Sequence, residues 1–147
     1  MRIATNRHMR RRSASRAFTL IELVAVIVVL AILAGVAIPK YIDYAANAKS
    51  SACKGILGGV RSAIANFYAN SAVSGTPTFP TLVQMQTVGT VVTEAVPANP
   101  YNNLTAITAA TWAATPPVSG SFGWAYDATT GRFWANSTTT GVNEHLF

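Results

Sequence analysis

Sixteen consecutive residues, Leu23 to Ile38 (LVAVIVVLAILAGVAI), are apolar or glycine. Counting from Phe18 lengthens the segment to 21 residues with Glu22 as its single charge. At about 1.5 Å per residue a helix of that length spans about 31 Å, close to the hydrocarbon thickness of a bilayer. Charge is distributed unevenly around it. Arg2, Arg7, Arg10, Arg11, Arg12 and Arg16 all precede Phe18, and no acidic residue does. From Phe18 onward Lys40, Lys49, Lys54, Arg61 and Arg132 are balanced by Glu22, Asp43, Glu94, Asp127 and Glu144, so the net charge of +6 belongs to the first 17 residues. The positive-inside tendency places that basic leader in the cytoplasm and the rest of the chain on the far side of the membrane. A neutral remainder gives no electrostatic footprint for nucleic acid, and none is expected as a partner.

Glu22 is the anomaly. A carboxylate in a membrane segment is expensive and is usually retained for function, with a partner. No lysine or arginine lies between Phe18 and Ile38. A cut between Ala17 and Phe18 would create one: the new α-amino group on Phe18, with a pKa of about 7.7–8.0, is cationic at the edge of the same segment.

Beyond the apolar run, Pro39 removes a helical hydrogen bond and predicts a kink. The helical pattern then resumes. Ala45, Ala48, Ala52, Ile56, Val60, Ala63 and Phe67 recur at spacings of three or four, opposite Lys49, Lys54 and Arg61, and predict one apolar face. The helix is expected from about Phe18 to about Asn70, weakened by Gly55, Gly58 and Gly59. NSAVSGTPTFP (70–80) ends it, Thr81 to Gln86 reads as a helical turn, and VPANPYNN (96–103) as irregular chain. Leu104 to Thr108 reads as a strand. FGWAYDATTGRFWANS (122–137) reads as a hairpin, with Phe122, Trp124 and Tyr126 on one face and the turn at Asp127 to Gly131. The fold class is therefore α+β, a long N-terminal transmembrane helix packed on a small antiparallel β-sheet head. Its expected divisions are a leader (1–17), a membrane helix (18–38), an amphipathic continuation (39–70) and the head (71–147).

Ala17-Phe18-Thr19-Leu20-Ile21-Glu22-Leu23, with the basic leader before it and the apolar run after it, strongly resembles the class III signal of type IV pilins and type II secretion pseudopilins. The resemblance implies a filament subunit. A prepilin peptidase would cleave between Ala17 and Phe18 and methylate the Phe18 amine. Glu22 would attract the N-terminal amine of a neighbouring subunit, and Gly35 and Pro39 occupy positions where the family has a helix-loosening Gly and Pro. The implied partners are the peptidase, the lipid bilayer, an inner-membrane assembly platform, and copies of the chain or other pilin-like subunits. The implied location is a single-pass bacterial inner-membrane protein, N-terminus cytoplasmic and head periplasmic or extracellular, which later enters a filament. Ala17 stands where the family usually has Gly. The single cysteine cannot close the C-terminal loop that many type IV pilins form with two, which together with the neutral head leans toward a secretion-type pseudopilin.

Rival readings have less support. An ordinary signal peptide cut after GVA (35–37) would release a binding module starting at Ile38, and an uncut anchor would display one, but both leave Glu22 unexplained. An enzyme is not expected. Past residue 94 the charged residues are Asp127, Arg132 and Glu144, and Asp127 suits a hairpin turn. Cys53 is alone, and His8 and His145 read as solvated tails. No metal-ligand spacing is present, and no cofactor is expected. Gly55 to Gly59 lacks the lysine of a phosphate loop and reads as close helix packing. Asn103 and Asn136 head N-x-S/T triplets, a pattern common by chance.

Overall fold

A computed structural model describes residues 18–147. The chain divides into two units, the first ending at Tyr41 and the second running from Ile42 to Phe147. Helix α1 (Leu20–Val73) contributes to both. In the first unit every side chain from Leu20 to Ile38 is exposed, and the helix is long and apolar enough to cross a membrane. Helical geometry continues through Pro39. The carbonyl that Pro39 cannot bond, and against which its ring is forced, is four residues back, at Gly35. The helix stops three residues past Asn70, where Gly75 (φ +85°) turns the chain and its amide donates to the Ala72 carbonyl at 3.0 Å.

In the second unit, α1 is followed by α2 (Leu82–Gln86), three strands, β1 (Ile107–Ala109), β2 (Trp124–Asp127) and β3 (Arg132–Ala135), and a 3₁₀ turn, Glu144–Leu146. Thr81 and Gln84 form a reciprocal capping box at the start of α2. The hairpin is as read from the sequence: β2 and β3 are antiparallel, with Trp124 opposite Ala135 and Asp127 opposite Arg132. The sheet as a whole corrects the purely antiparallel expectation, because β1 lies parallel to β2, Ile107 beside Trp124 and Ala109 beside Tyr126. Residues 110–123 carry the chain back to the same end of the sheet, a crossover of the length that parallel pairing needs.

The buried face of α1 overlaps the expected one only in part, sharing buried Val60 and half-buried Ile56, Ala63 and Phe67. Cys53, Leu57, Val60 and Ile64 enter the core, while Ala45, Ala48 and Ala52 are exposed. Alanine gains little from burial, so the larger Leu57 and Ile64 set the face, turned from the alanine stripe toward their own side. They pack with Met85, Val96, Ile107, Trp124, Tyr126 and Phe133. All four residues of β2 are buried, so the sheet is covered on both sides there. Phe122, at 38% exposure, leaves the aromatic row to Trp124 and Tyr126. Trp124 Nε1 donates to the Pro97 carbonyl at 2.9 Å and the Tyr126 hydroxyl to the Pro80 carbonyl at 2.7 Å, so each ring is buried without stranding its polar atom.

Candidate functional site

Of the predicted site residues, Phe18 and Glu22 lie at the start of α1, and Gly35 and Pro39 lie further along it. Ala17 lies outside the described residues. Phe18 precedes the helix and is 80% exposed. Thr19 is the capping residue. Its amide and its hydroxyl each donate to Glu22 Oε2 at 2.8 Å, and the Glu22 amide donates to Thr19 Oγ1 at 3.3 Å. This is a capping box, in which two amides that a helix start leaves unpaired are bonded reciprocally. The signal for it, threonine followed three residues later by glutamate, is present in the sequence at 19–22, where the membrane charge alone does not reveal it. Both members follow Phe18, so the box is made by Thr19 and Glu22 alone. Glu22 Oε1 accepts no hydrogen bond from the described residues.

The head holds a second group of functional-type side chains, and here two expectations are corrected. His145 is buried rather than a solvated tail, with Nδ1 enclosed and without a hydrogen-bond partner among the described residues. Glu144, fully buried, accepts from the Thr139 amide at 2.9 Å and the Thr139 hydroxyl at 3.0 Å. The 3₁₀ turn is drawn in because the chain around it is stitched to α1 and β3. Arg61 Nε donates to the Phe133 carbonyl at 3.0 Å and Nη2 to the Phe147 carbonyl at 2.6 Å, while Lys54 Nζ sits 4.4 Å from the Phe147 ring centroid. Lys54 and Arg61 thus flank the packed face of α1 instead of opposing it.

These groups are tied into the packing of the head by hydrogen bonds and burial. Asp127 Oδ1 accepts from the Thr129 amide at 2.8 Å and hydroxyl at 2.5 Å, and Oδ2 from the Trp112 amide at 2.9 Å. Burial pushes its pKa up, but these bonds outweigh it and hold the carboxyl well below the usual range. Burial likewise acts upward on Glu144, and its hydrogen bonds bring the net shift downward. Burial and the neighbouring Glu144 charge push the Cys53 thiol up to about 11, against the pull of Arg61 and Lys54, which leaves it protonated and inert at neutral pH. Among the described residues no group of three or more His, Cys, Asp or Glu side chains could hold a metal ion. Asn136 is buried and bonded to Ser119, so its triplet is inaccessible to a glycan.

Residues 12–38 match the family model described as the prokaryotic N-terminal methylation motif. The chain is 37% identical over 62 residues to "Fimbrial protein EcpC" of Eikenella corrodens, a match covering 42% of this chain and 40% of that protein. It is 43% identical over 58 residues to "Type IV major pilin protein PilE" of Neisseria gonorrhoeae, covering 40% of this chain and 35% of the relative. A "Fimbrial protein" of Neisseria meningitidis serogroup B (strain ATCC BAA-335 / MC58) is 46% identical over 55 residues, 37% of this chain and 32% of its own length. The matched stretch therefore spans 40% or less of each of these relatives. No solved structure matches the chain.

Proposed function

We propose that the chain is a type IV pilin-like filament subunit whose basic leader is removed after Ala17 by a prepilin peptidase, which also methylates the Phe18 amine. The observation that carries this reading is the coincidence, within the matched residues 12–38, of the methylation motif with an apolar helix that is exposed from Leu20 to Ile38 and carries Glu22 in its first turn. The subunit waits in the bacterial inner membrane, N-terminus cytoplasmic and head outside, until an assembly platform transfers it into the filament. On leaving lipid the apolar segments gain by packing on one another rather than by escaping water. Gly35 and Pro39 weaken one stretch of the helix ladder and let that packing adjust. Glu22 holds its own helix start through Oε2 and offers Oε1 to the Phe18 amine of a neighbour, which fixes the axial offset between helices because an ion pair in a low-dielectric setting disfavours every other register. Within this class, the single cysteine and the electrically neutral chain from Phe18 onward favour a secretion-type pseudopilin; the similar proteins are named as pilins and fimbrial proteins, and the phenotype of a deletion strain, lost secretion or lost pili, separates the two.

The test is the intact mass of the protein recovered from membranes and from the soluble fraction. A chain starting at Phe18 with one added methyl group is expected, and a start at Ile38 would establish a released module instead. Glu22→Ala should insert at least as well as the parent, since removing the carboxylate lowers the insertion cost. It should nevertheless lose filaments. Thr19→Val removes the hydroxyl of the capping box, at about 0.5–2 kcal/mol, but leaves the carboxylate, so it should keep most filaments. Equal loss in both processed variants would reduce Glu22 to a helix cap.

A further inference from the structure

On a helix advancing about 100° per residue, Lys54 and Arg61 lie together about 80° to one side of the core-facing row of Cys53, Leu57, Val60 and Ile64, and Gly59, Ala63 and Asn66 lie together about 120° to the other. The two flanks differ in charge. On the first, Arg61, Arg132, Trp112, Phe133, Leu146 and Phe147 line an open cleft of about 420 Å³. The Arg132 guanidinium stands 4.4 Å over the Trp112 ring, and Lys54 reaches the Phe147 ring from the helix. Three of the five cationic side chains that follow Phe18 meet here. Asp127 and Glu144 do not answer them at the surface, being buried with their oxygens bonded to Trp112, Thr129 and Thr139. Burial lowers the Arg61 pKa, the Cys53 thiol raises it, and the nearby Arg132 lowers it further. On the second flank, residues 91–97 with Ile56, Gly59, Ala63 and Asn66 border a cleft of about 450 Å³, and Glu94 is exposed on that loop. Asp43, the other exposed carboxylate among the described residues of this unit, is 18 residues up the helix from Arg61, about 27 Å along its axis.

We propose that the two flanks form one head-to-tail contact between copies of this chain: the loop 91–97 of one subunit docks in the Arg61–Arg132 cleft of the next, with Glu94 between the two guanidinium groups. The inference rests on the filament reading above and names the surface its heads use. Two unlike patches on opposite flanks build an open, extendable array wherever the rotation between subunits does not close a ring, whereas a two-fold contact would set the basic cleft against itself. Around the charges, exposed Leu146 and half-buried Trp112 and Phe147 supply the apolar anchors that such a contact needs, and Val91 and Val92 are the matching side chains on the loop.

The experiment expresses the full chain as parent, Arg132→Glu, Glu94→Arg and the double swap, and compares sheared filament yield with the amount of processed subunit in the membrane. Each single reversal should lower filament yield at least about tenfold at normal subunit level, and the double should recover most of it, since like charges set against each other disfavour the contact and the double swap restores opposite ones. Glu94→Cys with Arg132→Cys in one chain should give a covalent ladder when intact filaments are oxidised, and neither single variant should. Absence of filaments from the parent sinks the filament reading itself. Parent filaments with unaffected single reversals, an unrescued double, or no ladder overturn the docking contact. So does normal assembly of Arg132→Glu with lost binding of double-stranded DNA to filaments, which would make the cleft a polyanion site.

Discussion

At the scale of single residues, three of the five side-chain carboxylates, Glu22, Asp127 and Glu144, are held in hydrogen bonds. Glu22 caps a helix, Asp127 closes a hairpin and Glu144 holds the last turn. The consequence for Asp127 and Glu144 is a predictable acid sensitivity. Both have folded pKa values below the ordinary carboxylate range, so their contribution is fully present above about pH 4, the unfolded value, and is lost as pH falls through the folded values. Head stability, followed by denaturant midpoint, should be flat from neutral pH to about 5 and decline below about 4. Asp127→Asn should cost about 1–3 kcal/mol at neutral pH, because the Trp112 and Thr129 amides lose a charged acceptor, and should flatten the acid decline. An unchanged acid profile in that variant would mean that Glu144 or another group carries it.

Among the elements, α1 and the hairpin make the sharpest demands on sequence. Leu57 is 1% exposed in the packed face of α1, and Leu57→Ala should cost about 2–5 kcal/mol. Ala52 belonged to the stripe expected from spacing but is exposed, so Ala52→Leu should change stability by less than about 0.5 kcal/mol. The pair of measurements decides which face of the helix is buried, and reversed magnitudes would restore the alanine stripe. In the hairpin, Gly131 has φ +69°, and a β-carbon there would run into the Phe79 ring. Gly131→Ala should therefore destabilise by more than the roughly 1–3 kcal/mol of a left-handed backbone alone. Gly123 is fixed differently: the Leu104 carbonyl occupies the place of its missing β-carbon.

For the molecule as a whole, the unit from Ile42 to Phe147 has its own apolar core and its own sheet. Expressed alone, residues 42–147 should be soluble and cooperatively folded. Buried Cys53 provides a direct readout, since a protonated, enclosed thiol should resist iodoacetamide in the native fragment and react on addition of denaturant. Rapid native labelling, or recovery only in detergent, would show that the head depends on the preceding segment.

The long apolar helix was legible from sequence because its constraints are local. An apolar run of 21 residues, arginines on one side and a glutamate at fixed spacing from a small-residue junction are properties of consecutive positions, and the capping box at Thr19 and Glu22 belongs to the same kind of signal. The hairpin was legible for the same reason, its turn chemistry lying between its two strands. The parallel seat of β1, the burial of His145, the true packed face of α1 and the meeting of Lys54, Arg61 and Arg132 around Phe147 were not. Each depends on segments far apart in the chain, Arg61 and Phe147 being 86 residues apart, and on which larger side chains win the limited interior. Spacing specifies which residues share a face of one element, but it does not specify what that face will meet; packing against the rest of the head decides that.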